Sequence, residues 1–248
     1  VLDLGVDTST VDVTAGGLLV TAGTAIGSSG NHLETAVGTL STKSTTGASF
    51  VTESDAVTVG AVSVTVERVL ATGALDTTKP AATQEDLSSG GDLVLVTVNG
   101  SITTTVSTGE VKSAADVLLS SGESNETTVS DVVLNAAVSS TGGHISILSK
   151  DGIKLGDATA DITTGDTTKV SRTVDVQADA GVEMVDGAVI TSGNATDGWG
   201  AVRIQALGGD VTVGEIAAGT ASVALLASGS VLDLGVDTST VDVTAGGL

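Results

Sequence analysis

The sequence predicts an all-β protein, a β-solenoid in which each coil pairs in parallel with the next. Two observations lead to this prediction. The string apolar-x-apolar-x-small recurs along the chain and is followed one to three residues later by glycine. Threonine, serine, valine and glycine, which are neutral to poor helix formers, dominate the sequence. We therefore expect short strands joined at corners, with about ten coils in each 230 residues.

Each copy of the string predicts one coil. Apolar residues at every second position indicate a strand with one buried face, and a small residue before glycine indicates the corner where that strand ends. The clearest copies begin at Val174, Val202, Val223 and Val241, and the last of these repeats a copy at Val11. Looser copies begin at Leu40, Val117 and Ile145, and near Leu93-Leu95-Thr97 the register is ambiguous. A second short strand is expected after the corner, as at 152–155, 182–185, 210–213 and 231–234.

Stacking these copies predicts the interior. Equivalent positions of a parallel solenoid lie about 4.8 Å apart. The inward columns are then Val174/Val202/Val223/Val241, Val176/Ile204/Leu225/Val243 and Ala178/Ala206/Ala227/Ala245. Columns of this uniform size explain the aromatic content of 1%, because a narrow interior has no room for a column of rings. On the outside, the same register places Arg203 one coil from Asp175.

The interval from Leu40 to Leu93 is too long for a single coil. We expect it to contain one more coil, around Val62-Val64-Val66, and a loop over residues 74–89. That loop holds the single proline, Pro80.

Residues 1–18 and 231–248 are identical, and both read VLDLGVDTSTVDVTAGGL. A copy of this length has no physical reason to exist within one compact domain, whereas it follows directly if the chain belongs to an array. We therefore predict that residues 1–230 form one repeat unit and that residues 231–248 begin the next, within a longer protein. Neighbouring copies of the repeat are then the expected partners, joined end to end.

The composition excludes several classes of protein. A hydrophobic content of 40% is too high for a disordered acidic tail, and the lack of cysteine excludes a disulfide-stapled scaffold, a zinc finger and a thiol enzyme. Nine basic and 30 acidic residues give a net charge of −21, which argues against nucleic acid as a partner. No apolar stretch approaches the roughly 20 residues of a membrane span, so we expect no membrane insertion.

Three segments resemble a known kind of repeat. Residues 23–41 (GTAIGSSGNHLETAVGTLS), 47–62 and 131–155 are similar to filamentous-haemagglutinin-type repeats, and the resemblance covers essentially the whole chain. That family forms right-handed parallel β-helices in very long secreted bacterial adhesins and related giant surface proteins. The resemblance therefore implies a right-handed parallel β-helix and an extracellular, cell-surface location.

Few side chains could carry catalysis. Sugar-cleaving β-helices need clustered carboxylates and usually aromatic platforms, but Trp199 and Phe50 fall in different predicted coils. Trp199 is expected to cover a corner, and His144 to stand at a solvated strand entrance. The two histidines, His32 and His144, are not spaced as a His pair, and neither belongs to a recognisable Ser/His/Asp pattern. We therefore predict that the protein is not an enzyme, and we assign no catalytic, cofactor-binding or metal-binding residue.

Calcium is the open chemical alternative. Gly90-Gly91-Asp92 and Gly208-Gly209-Asp210 resemble the start of a calcium-binding nonapeptide repeat, but the rest of that motif is missing, which favours plain turns. The acidic turn from Asp233 to Asp237, copied as Asp3 and Asp7, is either a solvated face or a set of oxygen ligands for a hard cation.

Two further surface features come from short motifs. Asn99, Asn125 and Asn194 stand in N-glycosylation sequons, a pattern that is frequent by chance. Thr-rich runs such as 101–105 suggest an ice-binding face, but coils that vary from 18 to 29 residues do not favour a flat one.

These observations favour a structural, non-catalytic shaft segment of a giant extracellular or cell-surface filament or adhesin. Beyond its neighbouring copies, another cell surface or a matrix is the expected partner. The alternative is a glycan- or protein-binding β-helix module, stabilised by calcium, with the loop around Pro80 as its contact.

Overall fold

The computed structural model describes residues 10–124, 127–165, 172–235 and 241–247. These residues form 26 strands and no helix, so this part of the chain has no helix able to cross a membrane. Twenty-four of the strands belong to one sheet, in which strands of successive coils pair in parallel and the sheet wraps around an axis. The predicted all-β parallel β-helix is therefore confirmed.

Most coils consist of three strands, and equivalent strands stack into three parallel faces, here called the first, second and third sheets. The first sheet contains β3 (Ser49–Glu53), β8 (Leu93–Thr97), β11 (Val117–Ser121), β14 (Ile145–Ser149), β17 (Val174–Ala178), β21 (Val202–Ala206) and β24 (Val223–Ala227). The second contains β4 (Val57–Val59), β9 (Ile102–Thr104), β12 (Val132–Leu134), β15 (Ile153–Leu155), β18 (Val182–Met184), β22 (Val211–Val213) and β25 (Val231–Asp233). The third contains β7 (Leu87–Ser89), β10 (Val111–Ser113), β13 (Val138–Ser140), β16 (Ile162–Thr164), β19 (Val189–Asn194), β23 (Glu215–Ala217) and β26 (Val243–Thr244).

The strands form because aliphatic side chains recur at every second position. In β14 and β17 the first, third and fifth residues are buried, and the two between them are partly exposed. Val174, Val202 and Val223 pair in register, as do Val176, Ile204 and Leu225. Burying one such side chain contributes about 1.5–3 kcal/mol. The interior is thus a set of continuous aliphatic columns, as predicted for these three coils.

The first two coils are built differently. β1 (Val13–Ala22) and β2 (Leu33–Ser44) each run through a whole coil without a break, and they pair with each other along their length. β2 then pairs with β3, β4 and β7 of the following coil. Together with the seven three-strand coils they make nine coils in the described residues, close to the predicted number. Nine coils at about 4.8 Å each rise about 43 Å.

The prediction of a coil around Val62-Val64-Val66 is wrong. β5 (Val62–Thr65) and β6 (Ala81–Gln84) instead pair antiparallel as a hairpin, which is inserted between β4 and β7. Val64 and Val66 are 43% and 50% exposed. The loop predicted over 74–89 also has the wrong bounds, since β6 and β7 both lie within that range. Period-two alternation occurs in hairpin strands as well as in solenoid strands, so the pattern could not separate them.

Two strands predicted for the first sheet lie elsewhere. Leu40 pairs with Val59 in the second sheet, and Thr42 pairs with Leu87 in the third, because β2 continues where other coils turn. Val243 pairs with Ile216 in the third sheet and not with Leu225. The predicted extension of the interior columns to Val241, Val243 and Ala245 is therefore wrong.

The two copies of the 18-residue segment consequently pair differently. Val13 lies opposite Thr35 at the start of β1, whereas its copy Val243 lies opposite Ile216 in β26. Each copy lies at one end of the described solenoid, where a coil has a neighbour on one side only. A strand at the edge of a sheet pairs with whichever strand lies beside it. Two segments of identical sequence can therefore lie in different sheets.

The predicted pair between Arg203 and Asp175 is confirmed. Nε and Nη2 of Arg203 donate to Oδ1 and Oδ2 of Asp175, both at 2.8 Å. The same guanidinium reaches Gln177 at 3.2 Å and Gln205 at 3.0 Å. An exposed ion pair contributes only about 0.2–1 kcal/mol, so the main effect of this cluster is to favour the observed register of β17 and β21.

Candidate functional site

Aspartates at the corners link successive coils. Seven of them precede a strand, and each accepts a hydrogen bond from the backbone N–H of the equivalent residue in the next coil. They are Asp12, Asp86, Asp92, Asp116, Asp131, Asp161 and Asp210. Hydrogen bonds to an ionised carboxylate are about twice as strong as neutral ones. Part of the acidic composition therefore has a structural role, and the sequence signal for it is an aspartate directly before an apolar string.

His144 continues this series along the first sheet. Asp92 Oδ1 accepts from Asp116 N at 3.3 Å, and Asp116 Oδ1 accepts from His144 N at 2.7 Å. His144 Nδ1 in turn accepts from Thr173 N at 3.1 Å. His144 stands at the entrance of β14, as predicted, and is partly exposed. Its ring accepts the backbone hydrogen bond that an aspartate accepts at the other corners.

Buried hydroxyls satisfy the backbone at other corners, a feature that the sequence analysis missed. Where the third sheet turns into the first, the last inward position is a serine or threonine in six successive coils: Ser44, Ser89, Ser113, Ser140, Thr164 and Ser192. Ser89 Oγ donates to Asp92 O at 2.9 Å, and Ser140 Oγ donates to Ala115 O at 2.6 Å. A buried carbonyl without such a donor would cost about 1–3 kcal/mol. The signal in the sequence was a serine or threonine two residues after an apolar residue, as in Leu87-Ser89, Val111-Ser113 and Ile162-Thr164.

Glu53 has no exposed surface, and Glu34, at 4% exposed, is the other buried carboxylate among the described residues. Glu53 ends β3 in the first sheet, where other coils have Thr, Ser or Ala. Its Oε2 accepts from Thr35 Oγ1 at 2.6 Å, and its Oε1 accepts from Val37 N at 2.9 Å. Burial raises the pKa of Glu53, and the bonds from Thr35 and Val37 only partly oppose this. A carboxyl with no exposed surface cannot reach a substrate, so we assign it to the interior of β2 and β3.

Trp199 is a packing residue. It lies in β20 (Gly198–Trp199), which pairs antiparallel with the end of β19. Its indole ring occupies the space that a Cβ on Gly219 would fill, at a residue with φ of +51°. Trp199 therefore covers the corner of the following coil, as predicted.

The other aromatic group lies far along the chain from Trp199. The rings of His32 and Phe50 are 5.5 Å apart, and His32 Nδ1 lies 2.8 Å from Thr52 Oγ1. Burial lowers the pKa of His32 and so favours its neutral form. These contacts leave His32 as a packing and hydrogen-bonding residue of the second coil.

The calcium candidates separate into two groups. Asp92 and Asp210, from the two Gly-Gly-Asp motifs, are corner acceptors, in agreement with plain turns. Asp233 lines a recess of about 200 Å³ with three more carboxylates, those of Asp186, Glu215 and Asp242. Asp3, Asp7 and Asp237 lie outside the described residues. Within the described residues, no group of three or more such side chains has the arrangement of a metal site.

The remaining surface motifs are turn and strand residues. Asn99 Oδ1 accepts from Ser124 N at 3.0 Å, and Asn194 Oδ1 accepts from Thr196 N at 2.8 Å, whereas Asn125 lies outside the described residues. The outward column of the second sheet passes from threonines to Val133 and Lys154. The threonine rank that ice binding would need is therefore interrupted.

Two kinds of exposed apolar surface are left. One is the last coil of the described residues, in which Val231, Leu232 and Leu234 are 44–49% exposed. The other is the hairpin, whose far end exposes Val69 by 67% and Leu75 by 56%. Apolar surface concentrated in this way marks an interaction site more often than scattered exposed residues do.

No protein-family model, curated protein or solved structure matches the chain.

Proposed function

We propose that this protein is a non-catalytic shaft segment of an extracellular or cell-surface filament, in which copies of the repeat follow one another end to end. The observation that carries the proposal is the continuous stacking of nine coils in the described residues. The corner aspartates, the buried hydroxyls and the aliphatic columns all join one coil to the next. A structure of this kind grows in length by adding coils and needs no new fold for each addition.

The identity of residues 1–18 and 231–248 supports the same proposal. An open end exposes a row of unpaired backbone N–H and C=O groups, which another coil would cover. The net charge of −21 opposes lateral clumping of such rods, because like-charged sides repel each other. End-to-end contact is therefore favoured over side-to-side contact.

The proposal is tested by comparing one unit with two consecutive units. In the two-unit chain, a covered junction replaces one pair of open ends, so the urea midpoint should be equal or higher. A lower midpoint would contradict stacking. Each chain is also incubated with a panel of acidic and neutral polysaccharides, and release of reducing ends by a folded single unit would overturn the non-catalytic assignment.

A glycan- or protein-binding module is the second candidate, and the exposed hairpin favours it. A shallow groove of about 430 Å³ also runs along the second sheet, between Asp131 and Asp210, with Lys154 and Glu183 paired at 2.8 Å beside it. The described residues that line this groove include no aromatic ring, the usual platform for a sugar. Of the two features, the hairpin is therefore the better candidate for a contact.

A further inference from the structure

We propose that consecutive units are joined through one shared coil, and that each junction shifts the sheets by one place, so that the third sheet of one unit continues as the first sheet of the next. This inference rests on the proposed end-to-end array. In that array, residues 231–248 of the chain are residues 1–18 of the following unit, because the two segments are identical.

The two copies of this segment show the two edges of the shared coil. In the C-terminal copy, Val243 pairs with Ile216 of the preceding coil. In the N-terminal copy, the equivalent residue, Val13, pairs with Thr35 of the following coil. A strand inside a parallel sheet has a neighbour on each edge. In an array, therefore, a single copy of the segment makes both pairings, one with each unit.

The two pairings use different atoms of the segment. Towards the preceding coil, Asp242 O accepts from Ile216 N at 2.7 Å. Towards the following coil, the equivalent residue Asp12 donates from its N–H to Glu34 O at 2.8 Å. Its Oδ2 also accepts from Glu34 N at 3.2 Å. The carbonyl of this aspartate serves one neighbour, and its N–H and carboxylate serve the other, so one copy can make all three bonds.

The inward and outward sides of the segment also agree between the two copies. Ile216 and Thr35 are fully buried, and Val243 packs against the interior. Thr14 and its equivalent Thr244 are both exposed. A slip of one residue would turn every side chain of a strand to the other side. The segment therefore needs no reorientation to pair on both edges at once.

The sheet changes across this coil. Ile216 belongs to the third sheet, where it pairs with Ile190 of β19. On the other edge, Thr35 pairs with Glu53 of the first sheet. Because Val13 lies between Ile216 of one unit and Thr35 of the next, the third sheet of one unit continues into the first sheet of the next.

A second link gives the same shift. Ser222, directly before the first-sheet strand β24, bridges Gly247. The equivalent residue, Gly17, pairs with Thr39, and Thr39 pairs with Thr58 of the second sheet. The first sheet of one unit therefore continues into the second sheet of the next. By the order of the strands along the chain, the second sheet then continues into the third.

The shift arises because a unit does not contain a whole number of coils. The first-sheet places run from Val13 through β2, β3, β8, β11, β14, β17 and β21 to β24, which makes eight steps. Val243 lies two strands beyond β24, in the third sheet. A unit of eight and two-thirds coils rises about 40 Å. The sheets of different units come back into line after three units.

The position of the β5–β6 hairpin shows what this shift does to the surface of the shaft. The hairpin leaves its unit between β4 and β7, at the corner between the second and third sheets. In the following unit, that corner continues the line of the corner between the first and second sheets. Successive hairpins therefore leave the shaft at its three corners in turn. A partner that lies along one corner meets one hairpin in every three units, about 125 Å apart.

The test is disulfide formation within a two-unit chain, residues 1–230 followed by residues 1–248, which has no native cysteine. Each variant carries Thr14→Cys in the second unit and one further cysteine. Ala217→Cys in the first unit probes the shifted junction, because Ala217 pairs with Thr244. Ala36→Cys in the second unit probes the other edge of the same strand. Ala224→Cys in the first unit is the matched control, since an unshifted junction would place this exposed first-sheet residue opposite Thr14.

The outcomes separate the shift from the shaft. Paired residues of neighbouring strands lie about 4.8 Å apart, within the range of a disulfide, so we expect the 14–217 and 14–36 bonds to form about tenfold faster than the 14–224 bond. A 14–224 bond that forms faster than 14–217 would overturn the shift and leave the shaft standing. A 14–217 bond without a 14–36 bond would overturn the shared coil. A 14–36 bond alone, or no bond in any variant, would contradict both the shift and the shaft.

Discussion

Replacing Gly219 by alanine tests the packing of the last coils directly. A Cβ at this position would enter the indole ring of Trp199, and the φ of +51° is one that alanine tolerates poorly. The backbone strain costs about 1–2 kcal/mol, and overpacking adds about 1–3 kcal/mol. We therefore expect Gly219→Ala to lower the stability of this corner by about 2–5 kcal/mol.

The assay uses the single tryptophan of the chain. In Gly219→Ala the ring must move, so the emission maximum should shift to longer wavelength before any denaturant is added, and the urea midpoint read at Trp199 should fall. Gly73→Ala is the matched control, because Gly73 has a φ of +79° but no atom within 4 Å of its Cβ position. That variant carries the backbone cost alone, about 1–2 kcal/mol, with unchanged emission. If both variants give the same midpoint and the wild-type emission, the assigned packing of Trp199 on Gly219 is wrong.

Three further predictions follow from the corners and the interior. Asp116→Ala removes the acceptor of His144 N and should cost about 1 kcal/mol, or about 2–4 °C in Tm, whereas Asp116→Asn keeps an acceptor and should cost less than half of this; equal losses would mean that the hydrogen bond is not what stabilises the corner. The pKa of Glu53 is raised above 4.5, so the folded state holds its proton more tightly than the unfolded state, and the stability of the wild type should fall relative to Glu53→Gln as the pH rises from 4.5 towards 7. A constant difference in urea midpoint between these two proteins across that range would show that the pKa of Glu53 is not raised in the folded state. Calcium and magnesium at equal ionic strength should raise the melting midpoint equally, because diffuse screening does not distinguish them, and a rise with calcium alone would reveal a built calcium site.

The sequence was sufficient for the coils from Val117 onwards, apart from the terminal copy. In that part each first-sheet strand carries aliphatic residues at alternate positions and ends at a small residue, so the order and register of the first-sheet strands could be read directly. The pair between Arg203 and Asp175 followed from that register alone.

The sequence was insufficient where the same local pattern fits several places. Val62-Val64 alternates like a solenoid strand but belongs to a hairpin, and Leu40 lies in the second sheet because β2 does not turn where other coils do. Val13 and Val243 have identical surroundings in sequence and different partners in the structure, since pairing depends on which coil is adjacent. The corner role of Asp116 could not be assigned before the register was known, because its partner is 28 residues away.

The length of single particles tests the shaft most directly. Chains of one, two and three consecutive units are imaged by electron microscopy, and particle length is plotted against the number of units. Stacked coils predict rods of constant width that lengthen by about 40 Å for each added unit of 230 residues, because β25 and β26 already belong to the next unit. Particles that widen, or that form separate beads whose spacing varies from molecule to molecule, would contradict continuous stacking across the repeat junction.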